Sequence, residues 1–169
     1  MKQPTTPLEE ALHRLTFNAE FRGIHLFKSA GIRQKTLRKG EPAELIIMLE
    51  GAYRAWVGNG KNLDTAVEAK VGQTVFWPAG CQRVEENDPS RPMRCYSLYV
   101  HWPGGPSGRV PTLVTDSHHL IRSLAAHLVA VTESRLPLSP AIPDSMTNAI
   151  LAEFVRLATA PSDPLEAKV

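Results

Sequence analysis

The sequence predicts a mainly β barrel of the jelly-roll type, followed by two α-helices. Between residues 24 and 102, short β-branched or aromatic segments alternate with turn residues, which is typical of an antiparallel barrel. Asn59-Gly60, between two such segments, indicates a tight two-residue hairpin, because both residues tolerate positive φ. After Trp102 a Pro- and Gly-rich stretch gives way to apolar residues at helical spacing. The 169 residues, of which 43% are hydrophobic, support one domain.

Eight strands are predicted from these segments. They cover residues 24–29, 33–39, 44–50, 52–57, 62–69, 74–77, 81–87 and 93–102. Residues 1–15 predict an N-terminal arm with a short helix from Pro7 to about Leu15, because Pro suits the first helical turn. We assign the barrel to residues 16–110, a helical dimerisation segment to 111–160 and a linker stub to 161–169.

Two amphipathic helices are predicted after the barrel, from about Asp116 or Ser117 to Glu133 and from about Pro143 to Ala160. Their apolar stripes either pack on the barrel wall or form a homodimer surface. We expect a homodimer, because two such helices outside a barrel with its own core leave apolar surface to cover. The stripe expected to pair the protomers consists of Leu120, Leu124, Leu128 and Val131.

Two glycine- and proline-containing frames lie within the predicted barrel. The first contains Gly31, Leu37, Lys39, Glu44 and Gly51, and the second contains Gly72, Pro78, Gly80, Arg83 and Asn87. Their spacing resembles the two cupin motifs, which implies a cupin fold, with Leu37, Lys39 and Arg83 in the three places where cupins have metal-binding histidines. A bound metal needs about four ligands in a fixed geometry, and only Glu44 remains. We therefore expect a metal-free barrel without a cofactor.

Charge and composition argue against several classes of protein. Nineteen basic and seventeen acidic residues give a net charge of +2, and the two signs are interspersed, unlike a nucleic-acid-binding surface. There is no signal-like apolar stretch near Met1 and no run of 18 apolar residues, so we expect a cytoplasmic protein without membrane contact. Cys81 and Cys95 are expected to be reduced thiols.

Three segments extend the resemblance over nearly the whole chain. They are Leu45 to Gly51, Val71 to Gly80 and Arg94 to Trp102. Together with the arm and the two helices, they resemble the N-terminal ligand-binding and dimerisation domain of AraC-type transcription regulators. That resemblance implies a barrel that holds a small effector, an arm that folds over it and helices that pair two protomers. The DNA-binding part of such regulators follows a linker, which residues 160–169 resemble, so this chain alone is expected not to bind DNA.

A polar ligand site is predicted inside the barrel. If Glu44 keeps its motif role it points inward, as do Lys39 and Arg83 in the histidine places. A shift of one residue in register would exchange Lys39 for Arg38. Buried charges of this kind either pair with each other, Glu44 with Arg83, or are completed by a polar ligand.

The resemblance also places Ser97 and Tyr99 on the inner face of the last strand. The predicted ligand is a small polar or anionic metabolite, with sugars among the candidates, because the fork of Arg83 suits a carboxylate or a diol. Tyr99 either stacks on a sugar face or belongs to the core. Trp56 and Trp77 are candidates to cap the opening.

Two other classes of function are considered. A metal-free cupin enzyme, such as an isomerase or epimerase, would use His101 with Tyr99 as base and acid. A protein-interaction module would have a barrel filled by side chains. We expect no enzyme, because His101 lies at a strand end and has no acidic partner nearby in the sequence.

Overall fold

Nine strands and two helices form the part of the chain that the structure, a computed structural model, describes: residues 17–29, 31, 33–106 and 111–160. The strands are β1 (Glu20–Lys28), β2 (Gln34–Gly40), β3 (Ala43–Glu50), β4 (Ala52–Gly58), β5 (Leu63–Lys70), β6 (Gln73–Trp77), β7 (Cys81–Asn87), β8 (Arg94–His101) and β9 (Thr112–Thr115). The helices are α1 (Leu120–Thr132) and α2 (Ala141–Thr159). The predicted arm with its short helix and the linker stub lie outside the described residues.

The strands form two antiparallel sheets. One has five strands in the order β1-β8-β3-β6-β9, and the other has four in the order β2-β7-β4-β5. Most strands that are consecutive in the chain lie in different sheets or are separated by other strands of the same sheet, which is the jelly-roll pattern. The chain is therefore a mainly β cupin barrel followed by two helices, and the predicted fold class is confirmed.

Glycines of the first and second frames make the turns that the spacing predicted. Gly51 has φ of +71° between β3 and β4, and Gly72 has φ of +82° between β5 and β6. A Cβ added at Gly51 would lie 1.9 Å from the carbonyl oxygen of Pro92, so no other residue fits there without moving the backbone.

The hairpin between β4 and β5 differs from the prediction. The connection runs from Asn59 to Asn62, and of the predicted pair only Gly60 has positive φ, at +88°. The Asn59 side-chain oxygen instead accepts hydrogen bonds from the backbone N–H groups of Lys61 and Asn62, at 3.1 and 3.4 Å. This side-chain turn replaces the two-residue turn.

Two apolar cores lie on opposite faces of the five-stranded sheet. Leu45 and Ile47 of β3 face the helices, whereas Ile46 and Met48 face the four-stranded sheet, because side chains alternate along a strand. All four are buried, which explains the continuous apolar sequence of β3. The inner core, between the sheets, surrounds the candidate site.

The helices pack on the outer face of the five-stranded sheet. Ile121, Ala125 and Leu128 of α1 are fully buried in this outer core. The prediction that Leu128 contacts a second protomer is therefore wrong, because its surface is covered within the chain. Leu124 and Val131 are half-buried, and Leu120 is 45% exposed.

Strand β9 was missed by the sequence analysis. It pairs with β6, with Val114 opposite Thr74, and extends the barrel beyond the predicted boundary at residue 110. Asp116 follows it and is buried, and its carboxylate accepts hydrogen bonds from the backbone N–H groups of Leu120 and Arg122 at 3.0 and 3.2 Å. Asp116 thus satisfies free N–H groups at the start of α1, although the helix begins later than predicted.

Helix α2 is tied to the first strand by side-chain hydrogen bonds. The Asn148 amide donates to the Ala19 carbonyl and accepts from the Ala19 N–H, both at 2.9 Å. Asp144 accepts from the Phe21 N–H at 2.7 Å. These contacts fix the beginning of β1, whose later residues line the site. Neither described helix is long and apolar enough to cross a membrane.

Candidate ligand-binding cavity

An inner cavity of about 270 Å³ lies between the two sheets. It is lined by residues of β1, β2, β3, β4, β7 and β8 and of the loop before β8: His25, Leu26, Phe27, Thr36, Arg38, Glu44, Ile46, Tyr53, Glu85, Glu86, Asn87, Met93, Cys95, Ser97 and Tyr99. β1 and β2 are edge strands of different sheets. Because His25, Phe27 and Arg38 on these edges are exposed, the cavity opens sideways between β1 and β2.

A buried ion cluster closes one end of the inner cavity. Arg83 is 2% exposed, and its Nη2 donates to the carboxylate of Glu44. Its Nε donates to Oε1 of Glu85 at 2.8 Å, and its guanidinium lies 4.8 Å from the centre of the Trp77 ring. The arginine in the histidine place is thus held by two carboxylates and an aromatic face.

Glu85 is the most heavily bonded member of the ion cluster. Besides Arg83, it accepts hydrogen bonds from the Tyr53 hydroxyl at 2.9 Å and from Nε of Arg38 at 3.0 Å. Burial would raise the pKa of Glu85, but the charge of Arg83 and these hydrogen bonds outweigh burial and lower it. Glu85 therefore stays ionised, and its two oxygens are already engaged by three donors.

Tyrosines next to the cluster stay protonated. Burial, followed by the negative charge of Glu85, raises the pKa of Tyr53 well above its ordinary value. Burial and the charge of Glu44 likewise raise the pKa of Tyr99. The Tyr99 ring lies 5.9 Å from the His25 ring. Both hydroxyls are therefore hydrogen-bond donors near neutral pH.

The cysteines do not form a disulfide. Cys81 and Cys95 are both thiols that are buried in the inner core. Burial, followed by the charges of Glu44 and Glu85, raises the pKa of Cys95 to about 12. The thiol beside the cavity is therefore neutral and a poor nucleophile near pH 7.

Glu44, Ser97 and Tyr99 line the inner cavity, but Lys39 does not. Lys39 is exposed on the outer face of β2, while Arg38 lies opposite Arg83 and lines the cavity, so the inward position predicted for Lys39 is corrected to Arg38. A shift of one residue moves every side chain of a strand to the other face. Arg83 points inward as predicted, but it lies behind Glu44 and Glu85 and is not part of the cavity wall.

Several other polar residues of the inner cavity were not singled out from the sequence, among them Tyr53, Glu85 and His25. A signal for Glu85 was present, since it follows Arg83 by two residues on one strand and must share its face. Tyr53 could be placed only through the pairing of β4 with β7 and β5.

Neither candidate tryptophan caps the opening of the cavity. Trp77 is fully buried beneath Arg83. Trp56 lies on the outer face of the four-stranded sheet, where the ammonium of Lys35 is 4.6 Å and the guanidinium carbon of Arg54 is 5.0 Å from its ring centre.

A second depression, here called the rim cleft, lies at the end of the barrel. It measures about 750 Å³ and is lined by Arg22, Glu41, Pro42, Ala43, Phe76, Ala79, Tyr99, Val100, His101, Trp102 and Pro106. Tyr99 belongs to both the inner cavity and the rim cleft, whereas His101 belongs only to the rim cleft. The two residues of the predicted acid–base pair therefore do not share the inner cavity.

The residues in the metal-binding places of the cupin motifs do not fit a divalent cation. Leu37 and Lys39 face outward, and Arg83 is itself a cation held by Glu44 and Glu85. Within the described ranges, no group of three or more His, Cys, Asp or Glu side chains is arranged to hold a metal ion. The guanidinium of Arg83 instead supplies the positive charge between Glu44 and Glu85.

Comparison with known proteins finds similarity at the level of solved structures only. No family model and no curated protein matches the sequence. ToxT from Vibrio cholerae O395 is similar with a TM-score of 0.48 and 6% identity over 81% of this chain, which spans 55% of ToxT. BH2720 from Bacillus halodurans is similar with a TM-score of 0.39 and 20% identity over 64% of this chain, which spans 88% of BH2720. Oxalate decarboxylase from Bacillus subtilis is similar with a TM-score of 0.31 and 14% identity over 63% of this chain, which spans 32% of the decarboxylase.

Proposed function

We propose that this chain is the effector-binding and dimerisation domain of an AraC-type transcription regulator, and that its metal-free barrel binds a small polar metabolite. The observation that carries the proposal is the inner cavity of about 270 Å³, lined by ionised, hydroxyl and apolar side chains. A barrel acting only as an interaction module would have this space filled by side chains. Small-molecule sites combine an apolar wall with a few placed polar groups, as here.

The ion cluster changes which residue would anchor the ligand. Arg83, first predicted as the anchor, already has two carboxylate partners. Arg38 is half exposed at the opening of the inner cavity and contacts Glu85 only through Nε. The ligand would therefore contact Arg38, Tyr99 and Ser97, while Arg83 holds the carboxylates behind them.

A thermal-shift panel of sugars, sugar acids, aromatic acids and amines tests the proposed function. A ligand that binds only the folded chain raises the melting temperature. We expect at least one compound to do so for the wild type and not for Ser97→Leu, in which the larger side chain occupies the cavity. Ser123→Leu on the exposed face of α1 is the matched control and should keep the shift. A shift that survives in Ser97→Leu would contradict binding in the inner cavity.

A metal-free enzyme is a second candidate, favoured by the position of Tyr99 beside Glu44 and His25 in the inner cavity. The raised pKa keeps Tyr99 protonated near neutral pH, so it could act as an acid but not as a base, and it would be a weaker acid than an ordinary tyrosine. We propose binding without catalysis, because the carboxylate beside Tyr99 in the described part of the wall, that of Glu44, is already held by Arg83. NMR spectra of a stabilising compound incubated with the protein would reveal turnover, and turnover lost in Tyr99→Phe would favour the enzyme.

A further inference from the structure

The inner cavity has the ion cluster at one end and mostly apolar side chains, next to Glu86 and Asn87, at the other. Tyr99 lies opposite Glu44 at the polar end, while Cys95 lies opposite Phe27 and Met48 at the other end. Tyr99 lies four positions after Cys95 along β8, which corresponds to a distance of roughly 13 Å. A ligand that spans the cavity therefore meets charged groups at one end and apolar side chains at the other.

Most of the polar atoms in the wall are already engaged. Glu85 accepts from three side chains, and Glu44 accepts from Arg83. Within the described residues, Arg38 makes a single hydrogen bond, from Nε to Glu85. Its two terminal nitrogens remain as donors at the opening, in the end-on geometry that suits a carboxylate.

The charges of the ion cluster favour an acceptor on the ligand. Glu44 and Glu85 already accept hydrogen bonds from arginine side chains, and Glu86, which also lines the cavity, lies 3.9 Å from Arg54. The terminal N–H groups of Arg38 are donors that the ion cluster does not use, so they favour a hydrogen-bond acceptor on the ligand. A polyol needs hydrogen-bond partners along its whole length, and Phe27, Ile46 and Met93 supply none on their part of the wall. A molecule with one anionic group and an apolar body leaves the fewest groups unsatisfied.

The apolar end suits a flat ring of limited size. Phe27, Ile46 and Met93 line it, and the ring of His25, which is paired with Ser97, lies between this end and Tyr99 at the polar end. Sites for drug-sized ligands occupy about 300–1,000 Å³, so a cavity of about 270 Å³ suits a molecule with a single ring.

We propose that the inner cavity binds a small one-ring carboxylate, with the carboxylate on the terminal nitrogens of Arg38 and the ring against Phe27, Ile46 and Met93. This inference rests on the proposed function, because it names the class of effector that the same cavity accepts. The ligand enters through the gap between β1 and β2, where Arg38 and Phe27 stand on opposite edges.

An NMR titration with four probes of similar size tests this class. Benzoate, benzyl alcohol and benzylamine share the ring and differ in charge, and xylose represents polyols. At millimolar concentrations we expect benzoate to shift backbone amide signals of β1, β2 and β8 and to bind more tightly than the other three. Tighter binding of benzylamine or xylose would overturn the carboxylate assignment and leave the proposed sensor function standing.

Three variants locate the bound group. Arg38→Gln should weaken benzoate binding about tenfold or more, because a charge-assisted hydrogen bond is lost. Lys39→Gln, one residue along on the outer face, is the matched control and should bind as the wild type does. Phe27→Ala, at a 37% exposed position, should keep the fold and weaken binding of the ring.

Two outcomes would overturn the inference while folded spectra are retained. One is benzoate binding that is equal in Arg38→Gln and Lys39→Gln. The other is the absence of any shift with benzoate. A positive result in the broader thermal-shift panel together with either outcome would mean that the cavity binds another class of ligand, so the two proposals fail separately.

Discussion

At the scale of single residues, Arg83 determines the chemistry of the barrel interior. Burying an unpaired guanidinium would cost several kcal/mol, and the two carboxylates and the Trp77 ring compensate for that cost. Glu85 also connects Arg83 to Arg38 at the opening. The interior charges are therefore balanced before any ligand arrives, and the exposed end of Arg38 is the part of the cluster that meets solvent.

Replacing Glu85 should show how strongly the ion cluster supports the fold. In Glu85→Gln, Arg83 and Arg38 lose a charged partner, and we expect the free energy of unfolding at pH 7 to fall by about 3 kcal/mol. Urea denaturation measures this difference. Glu68→Gln is the matched control, since its side chain is 56% exposed beside Arg54, and it should change stability by less than about 1 kcal/mol.

The same variant should alter the pH dependence of stability. Because the pKa of Glu85 is lowered in the folded chain, its contribution is complete above the unfolded-state value of about 4.3 and is lost as pH falls through the lower folded-state value. The difference between wild type and Glu85→Gln should therefore shrink on acidification from pH 5 to pH 3. A difference that stays constant or grows over this interval would show that Glu85 is not stabilised as an anion.

The resemblance to the cupin motifs identified Glu44 and Arg83 as inward-facing but favoured the wrong one of two adjacent cations, Lys39 over Arg38. The choice between Arg38 and Lys39 depends on the register of β2 against β7, which pairs Arg38 with Arg83. The two basic residues are adjacent, so a one-residue change in register exchanges them. The hydrogen bonds of Glu85 with Arg38 and Tyr53 likewise depend on strands distant in the sequence and could not be recognised from one segment.

At the scale of secondary-structure elements, α1 shows which apolar face the barrel uses. Its buried face is centred on Ile121, Ala125 and Leu128, about a quarter of a turn from the leucine stripe that the sequence suggested. Ala125 contributes little to a hydrophobic pattern but allows close packing. The remaining exposed part of the stripe, Leu120, supports the proposed dimer surface on this helix.

Two leucines of α1 should respond differently to substitution. Leu128→Ala removes a fully buried side chain, and we expect a loss of about 3 kcal/mol in the free energy of unfolding. Leu120→Glu should leave monomer stability nearly unchanged, because an acidic residue is favourable in the first helical turn, but should weaken a dimer formed through this face. Thermal unfolding and sedimentation equilibrium measure the two effects. A wild-type chain that is monomeric at high concentration would contradict the proposed homodimer.

The strands and turns that could be predicted are those with a clear pattern in their own sequence. The long apolar run of β3 and the glycines that follow β3 and β5 were recognised because turns and buried strands leave marks in the sequence. β9 has four residues, so alternation along it could not be distinguished from a loop. Its place is determined by pairing with β6, which is a tertiary interaction.

At the scale of the whole molecule, β1 contacts both the inner cavity and the helix α2. Its residues His25 and Phe27 line the inner cavity, while the preceding Ala19 and Phe21 are hydrogen-bonded to α2. The helices cover only the outer face of the five-stranded sheet, so the gap between β1 and β2 stays open. The proposed ligand and the proposed dimerisation segment therefore contact the same strand.

The central claim, that the inner cavity is the ligand site, is tested most directly by a crystal structure with the compound that gives the largest thermal shift. We expect its electron density between the two sheets, in contact with Arg38 and Tyr99, with the pairs of Arg83 to Glu44 and Glu85 intact. Density for the compound in the rim cleft beside His101 and Trp102, or an inner cavity closed by its own side chains, would contradict the account.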